Sequence, residues 1–436
     1  MEWWVILLIT FAVLLAVLFS GIPVAFAFIA IDIIGMYFFM GGMAGLHSLV
    51  TSLRSSVSIF TLIPIPLFIL MGEVLFRAGI ASRILDVFDI WLARLPGRLS
   101  LVAVSAGTLF AALSGSSLGT TAMLGSLLAP DMMKRGYKSN MIIGPIIGGG
   151  TLAVIIPPSI LTVILGGLGN ISVGKLLIAG IIPGLIIASL FMLYIVMACK
   201  LNPVLAPRVE VSAIPFSKKL MIGVRALLPA AIIIFLVLGT IFAGICTPTE
   251  AAALGALGCF ILAAGYRKLD WGLMKESINS CTKTTVMVLL IVTGSIAFSQ
   301  ILSFTGATRG LCELVANLPV APLLVVLGIL IVLLILGCFI DQISMLMIGV
   351  PIFIPIAAAL GFDLVWFGIL LLLSITFGLI TPPFGMLFFV IKGSMPVDIP
   401  MADVYRAGLP FVILGVVALG LVFVFPPLAN WLPGFM

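Results

Sequence analysis

The sequence predicts an all-α protein that crosses a membrane many times, built from two inverted repeats. Three observations predict it. Of 436 residues, 63% are hydrophobic and 8% are charged, with a mean hydropathy of +1.41; a soluble core has no use for so much apolar sequence. Apolar runs of about 20 residues recur along the chain, each long enough to span roughly 30 Å of hydrocarbon. They are continuous rather than short and alternating, which argues against a β-barrel. The third observation is an internal repeat. Pro23, Pro130 and the pair Pro157–Pro158 are matched by Pro248, Pro355 and Pro382–Pro383 at an offset of 225, while Gly79 and Pro183 are matched by Gly306 and Pro410 at 227. Five matches in order at nearly one offset imply two homologous halves, 1–210 and 211–436.

The elements follow in the same order in each half. Two spans come first, about 3–20 and 22–40, then about 222–243 and 248–266. The "AFA" at 25–27 resembles a signal cleavage site. However, "MEWW" has Glu2 and no basic leader, and the run is too long, so it is expected to remain as the first helix. Next comes a stretch with internal Gly, Pro and Ser, about 55–80 and 276–306, which reads either as a span or as a re-entrant hairpin. Residues 81–98 follow in the first half, with Ile84, Leu85, Phe88, Trp91, Leu92 and Leu95 at helical spacing and charges between them. They predict an amphipathic helix in the interface, ended by Pro96. A long apolar run comes next (about 99–133 and 320–359), interrupted by "SGSS" at 114–117 and "FIDQIS" at 339–344. A double-proline run and a plain span (about 174–199 and 405–428) close each half.

If 55–80 and 276–306 are hairpins, each half crosses an odd number of times and the second half is inverted, as in many secondary transporters. Basic residues test this. With that topology, the Lys and Arg of 134–138, 200–225 and 267–283, with Arg309, Lys392 and Arg406, share one side. Arg54, Arg77, Arg83, Arg94, Arg98 and Lys175 fall on the other. The positive-inside rule then places the richer side in the cytoplasm and both termini outside. The net charge of +6 comes from these short loops and is no sign of nucleic-acid binding.

Two kinds of break carry the functional expectation. A proline removes an N–H and frees a carbonyl, which inside lipid needs a partner. Tandem prolines leave a short extended piece, because the residue before a proline avoids the helical region. Exposed carbonyls and half-helix ends then suit Na⁺ or H⁺, and half-helix N-termini face anions. In the second break, "SGSSLGTT", Ser114, Gly115, Ser116 and Ser117 offer hydroxyls and the N–H groups of a starting helix to a carboxylate. Asp341 stands where Ser116 does, and a mid-membrane carboxylate is usually functional.

Other polar residues read as structural. Asp32 aligns with nothing polar in the second half, and a place near a span end would make it structural. His47 lies in a loop-like stretch and reads as interfacial. Glu250 reads as a helix-capping residue with Thr247 or Thr249 and Pro248. Six scattered cysteines form no metal or disulfide pattern. With one histidine and no HExxH or GxGD motif, an enzyme is not expected. A channel has no need of two inverted broken-helix sites.

"GICTPTEAAALGA", "SGSSLGTTAMLGSLLAPDMMKRGY", "IIPPSI" and "GLITPPFG" together resemble, over essentially the whole chain, the large membrane subunit of the tripartite ATP-independent periplasmic (TRAP) transporters. The resemblance implies an elevator-type secondary transporter of the bacterial inner membrane that takes up an organic acid with Na⁺. Its partners would be a small four-helix membrane subunit and a periplasmic substrate-binding protein. It implies one Na⁺ site at Ser114, Gly115, Ser116, Pro157 and Ser159, and another at Gly337, Gly378, Thr381 and Phe384. Ala112, Ala153 and Ile156 stand where Gly337, Gly378 and Thr381 do, so the halves are not equivalent. With the organic acid that the resemblance implies, Asp341 facing the substrate would favour a hydroxyl-rich monocarboxylate such as sialic acid over a C4-dicarboxylate; a C4-dicarboxylate TRAP transporter and a stand-alone Na⁺/dicarboxylate carrier are the alternatives.

Overall fold

The computed structural model describes residues 2–207 and 215–436. Four helices open the chain: α1 (Trp3–Phe19), α2 (Val24–Phe39), α3 (Met43–Val57) and α4 (Pro64–Arg77). They are followed by α5 (Ile80–Trp91), α6 (Arg98–Ser114), α7 (Ser117–Lys134), α8 (Ser139–Thr151), α9 (Ile160–Leu168), α10 (Val173–Ala179) and α11 (Ile181–Leu201). The second half holds α12 (Phe216–Ile234), α13 (Thr240–Phe242), α14 (Pro248–Gly265), α15 (Trp271–Phe304), α16 (Ala307–Ala316), α17 (Pro322–Gly337) and α18 (Gln342–Ala359). It ends with α19 (Leu364–Gly378), α20 (Met386–Ser394), α21 (Met401–Val424) and α22 (Pro427–Asn430). Among the described residues, seven helical stretches are long and apolar enough to cross a membrane, and shorter apolar helices precede and separate them.

The re-entrant hairpins are not where the Gly- and Ser-rich stretches suggested. Residues 276–304 belong to α15, one unbroken helix of 34 residues. At 1.5 Å per residue it is about 50 Å long, more than a bilayer core. Its mid-helix Gly294 serves packing: a Cβ there would lie 2.6 Å from the Cβ of Phe28 on α2. The stretch 55–80 holds the end of α3 and all of α4, which packs along α14 and α15.

The hairpins are instead α6–α7 and α17–α18. The Leu99 N–H donates to the Tyr137 hydroxyl (3.3 Å), so the start of α6 meets the end of α7. The chain reverses at Gly115, whose φ of 60° lies in the left-handed region that favours glycine. A Cβ on Gly349 of α18 would lie 3.7 Å from the Leu333 side chain, and one on Gly337 would lie 3.4 Å from Met345 Sδ, so α17 and α18 run antiparallel. Hairpins leave on the side they entered, so each half keeps an odd number of crossings, with α4 and α15 supplying the crossing.

The reassignment improves the charge separation. Arg77 pairs with Glu276 at the start of α15, Arg83 stacks on Tyr266 at the end of α14, and Arg98 pairs with Asp89 of α5. The Lys138 N–H bonds Leu205 O, beyond the end of α11. These contacts gather Arg77, Arg83, Arg94 and Arg98 at the same end as the other basic loops. Gly310 of α16 lies against Trp3 at the start of α1, which puts Arg309 at the opposite end. There it joins Arg54 and Lys175 as the basic residues of that end among the described residues. Arg208 lies outside the described residues.

Helix α5 is amphipathic, with Ile80, Ala81, Ile84, Leu85 and Val87 buried, but it ends at Trp91 rather than at Pro96, and of the expected apolar face Trp91 and, beyond the helix, Leu95 are exposed. Burial and the neighbouring Asp89 raise the Asp86 carboxyl above its ordinary range. Thr247 and Glu250 form a capping box at the start of α14, so Glu250 is a cap. His47 is exposed on α3, a helix rather than a loop. Asp32 is not near a span end. It sits mid-way along α2, fully buried, beside the position a Cβ on Gly294 would take (3.6 Å), and neither carboxylate oxygen has a partner among the described residues.

Candidate functional site

Each hairpin tip is a helix end followed by a helix start. In the first, Gly115 caps α6 and Ser116 caps α7, its Oγ accepting from the Gly119 N–H (3.2 Å). Ser114 Oγ and Thr120 Oγ1 are 2.9 Å apart. In the second tip Asp341 takes the place of Ser116. One of its oxygens accepts from the Ile343 and Ser344 N–H groups (3.0 and 3.1 Å), and the other accepts from the Ser344 hydroxyl.

Each tip rests on the double-proline break of its own half. Helix α8 ends at Thr151, and Ser159 caps α9 with its Oγ accepting from the Thr162 N–H (3.4 Å). A Cβ on Gly115 would lie 3.1 Å from Pro158 O and 3.4 Å from Ile160 N, so the tip backbone touches this break. In the second half a Cβ on Gly337 would lie 2.6 Å from Gly378 Cα, and the Gly385 N–H donates to Cys338 O (3.2 Å). Both Pro–Pro peptides are cis.

Thr381 Oγ1 donates to Phe377 O (2.7 Å), which leaves its lone pairs free for a cation. Phe384 is exposed, its ring 5.6 Å from that of Phe339, so a contribution to a cation site falls to its carbonyl. Pro157 and Ser159 are buried in the first break. Tip and break therefore meet in both halves, bringing together Ser114, Gly115, Ser116, Pro157 and Ser159 on one side and Gly337, Gly378, Thr381 and Phe384 on the other. Fully buried Ser117 Oγ, Thr121 Oγ1 and Ser374 Oγ, with Gln342 Oε1, have no partner among the described residues. Hydroxyl and carbonyl oxygens of this kind are hard neutral ligands.

The two tips face one cavity of about 430 Å³, a size suited to a small organic molecule. It is lined by Ser114, Gly115, Ser116, Gly119 and Thr120 from the first tip, Gln342 and Ile343 from the second, and Ile160 and Leu161 of α9. Gly72, Glu73 and Arg77 of α4 and Thr284, Met287 and Val288 of α15 form the facing wall. A Cβ on Gly72 would lie 2.9 Å from Ser114 Cα, so glycine lets α4 approach the tip.

Two expected substrate residues are not among the lining residues. Ser117 follows the cap by one position, and the helical turn rotates its side chain away from the side that Ser116, Gly119 and Thr120 share. Asp341 spends both oxygens on the start of α18. Conversely, Glu73, Arg77, Thr284 and Gln342 line the cavity, although composition did not single them out. The one available signal was the i,i+4 pair Glu73 and Arg77 within the apolar "GEVLFRAG".

Residues 11–428 match the family model described as tripartite ATP-independent periplasmic transporter, DctM component. The chain is 34% identical over 393 residues to the C4-dicarboxylate TRAP transporter large permease protein DctM of Pseudomonas aeruginosa, covering 89% of this chain and 90% of that protein. It is 32% identical over 420 residues to the sialic acid TRAP transporter large permease protein SiaM of Vibrio cholerae, covering 96% of each. It is 31% identical over 428 residues to the ectoine TRAP transporter large permease protein TeaC of Halomonas elongata, covering 97% of each. The fold is similar to that of the Alcanivorax borkumensis YdaH transporter, with a TM-score of 0.59 at 16% identity over 88% of this chain and 89% of that one. Neisseria gonorrhoeae MtrF gives a TM-score of 0.58 at 13% identity, over 88% and 83%. These relatives are named as transporters and permeases rather than enzymes. The chain belongs to the DctM component family of the tripartite ATP-independent periplasmic transporters, as a large permease subunit.

Proposed function

We propose that this permease imports an organic acid with Na⁺ across the bacterial inner membrane. It receives the acid from a periplasmic substrate-binding protein and works beside a small four-helix membrane subunit. The single observation that carries this reading is the cavity between the two hairpin tips, with a tip-on-break contact behind each. Neutral oxygens cluster at those contacts, which favours a metal cation over a proton relay built from acids and histidines. By the distribution of Lys and Arg, the basic end is cytoplasmic and both termini are periplasmic. The two halves divide near residue 210. The helices α6–α11 and α17–α21 carry the tips and breaks and move as one body, as an elevator, against α1–α4 and α12–α15, of which α4 and α15 form the facing wall of the cavity.

The substrate class is a sugar acid such as sialic acid. Asp341 does not supply the reason, because its carboxylate is used in capping. The lining does: several neutral hydrogen-bonding groups (Ser114, Ser116, Thr120, Thr284 and Gln342) and a single guanidinium suit one carboxylate with many hydroxyls. Competition for uptake among sialic acid, gluconate-type acids and succinate tests this. Sialic acid or a gluconate-type acid is expected to compete best. Succinate competing best would favour the C4-dicarboxylate reading, and uptake without the binding protein would favour a stand-alone carrier.

A further inference from the structure

We infer that Arg77 is a carboxylate-binding residue of the transport cavity, exchanging its tie to Glu276 for the carboxylate of the cargo. This inference rests on the organic-acid reading and adds a residue on the wall opposite the hairpin tips. Arg77 lies on the last turn of α4 and is the one cation among the described residues that line the cavity. Its Nε donates to Glu73 Oε2 (3.1 Å), one turn earlier and also in the cavity wall. Its Nη1 donates to Glu276 Oε2 (2.5 Å) on α15. Glu73 is held from its other oxygen by the Ser280 hydroxyl (2.7 Å).

The two partners are not equivalent. The Glu73 side chain is 26% exposed and doubly held, while that of Glu276 is 67% exposed and lies outside the cavity lining. An ion pair with an exposed carboxylate is weak and readily exchanged. Guanidinium offers five donors in a planar fork, and among the described residues Nη2 has no partner.

Charge gives the second argument. Glu73 alone in the wall would repel an anionic cargo, and the fixed Glu73–Arg77 pair cancels it. Replacing Glu276 by a cargo carboxylate keeps the number of carboxylates around Arg77 at two. The released Glu276 carboxylate is left in solvent rather than buried, so no buried charge loses its partner.

The test compares Arg77→Gln, Arg77→Lys and Glu276→Gln in proteoliposomes holding the full permease with its two partners. KM for the acid and half-saturation by Na⁺ are measured for each. Arg77→Gln is expected to raise KM for the acid by roughly tenfold or more, the range of a charge-assisted hydrogen bond, with Na⁺ half-saturation unchanged. Arg77→Lys keeps the charge without the fork and falls between. Glu276→Gln, which takes the charge out of the same tie between α4 and α15, is expected to keep or lower KM. An equal loss in Arg77→Gln and Glu276→Gln would show a helix tie only and overturn the inference, as would an unchanged KM in Arg77→Gln. The wild-type rate reports on the transport reading itself, and the ratio of each variant to wild type reports on Arg77.

Discussion

Asp341 and Ser116 do the same work at the two tips, closing the exposed N–H groups of a helix that starts deep in the bundle. Their alignment was legible in the sequence because both chemistries cap helices. That Asp341 turns both oxygens to the start of α18 was not, since it depends on where both oxygens point. Asp341→Ala is expected to lower stability by about 0.5–2 kcal/mol, with Asp341→Asn keeping most of it. Thermal unfolding of the purified permease checks this; equal loss in both variants would show that the charge, not the cap, matters. Glu73 and Arg77 escaped attention for a different reason. Their partners Ser280 and Glu276 are 207 and 199 residues away, a separation that no local pattern reveals.

At the scale of elements, a hairpin is recognised by its reversal, not by its small residues. Gly115 with Ser116, and residues 338–341, are places where one helix ends and the next is capped. Residues 276–306 hold Ser, Thr and Gly but no proline, so nothing stops a helix once it has begun. The double-proline breaks, by contrast, were legible at once, because tandem proline forbids continuation whatever surrounds it. The docking of tip on break is open to test through glycine. Gly337→Ala places a methyl 2.6 Å from Gly378 Cα and is expected to destabilise by about 1–3 kcal/mol. Gly328→Ala on the same helix meets nothing within 4 Å and is expected to be neutral or slightly stabilising. Comparing their unfolding midpoints and monodisperse yields distinguishes a tight backbone contact from a loose one.

For the whole molecule, the odd number of crossings expected in each half survives the relocation of the hairpins, because exchanging a hairpin for a span within each half preserves parity. What the exchange alters is the side of Arg309 and of the residues around α5. Reporter fusions after Lys219 and after Met436 are expected to read cytoplasmic and periplasmic respectively. A fusion after Arg309 is expected to read periplasmic, whereas the hairpin placement at 276–306 requires the cytoplasm. Thr381→Ala is expected to raise the Na⁺ concentration needed for half-maximal uptake while leaving the protein folded, measured over a Na⁺ series. The most direct measurement is uptake of an organic acid into proteoliposomes holding the permease, its small membrane subunit and the binding protein. Under an inward Na⁺ gradient the acid is expected to accumulate, and replacing Na⁺ by K⁺ under an imposed proton gradient is expected to abolish accumulation; uptake unchanged by that replacement would contradict Na⁺ coupling.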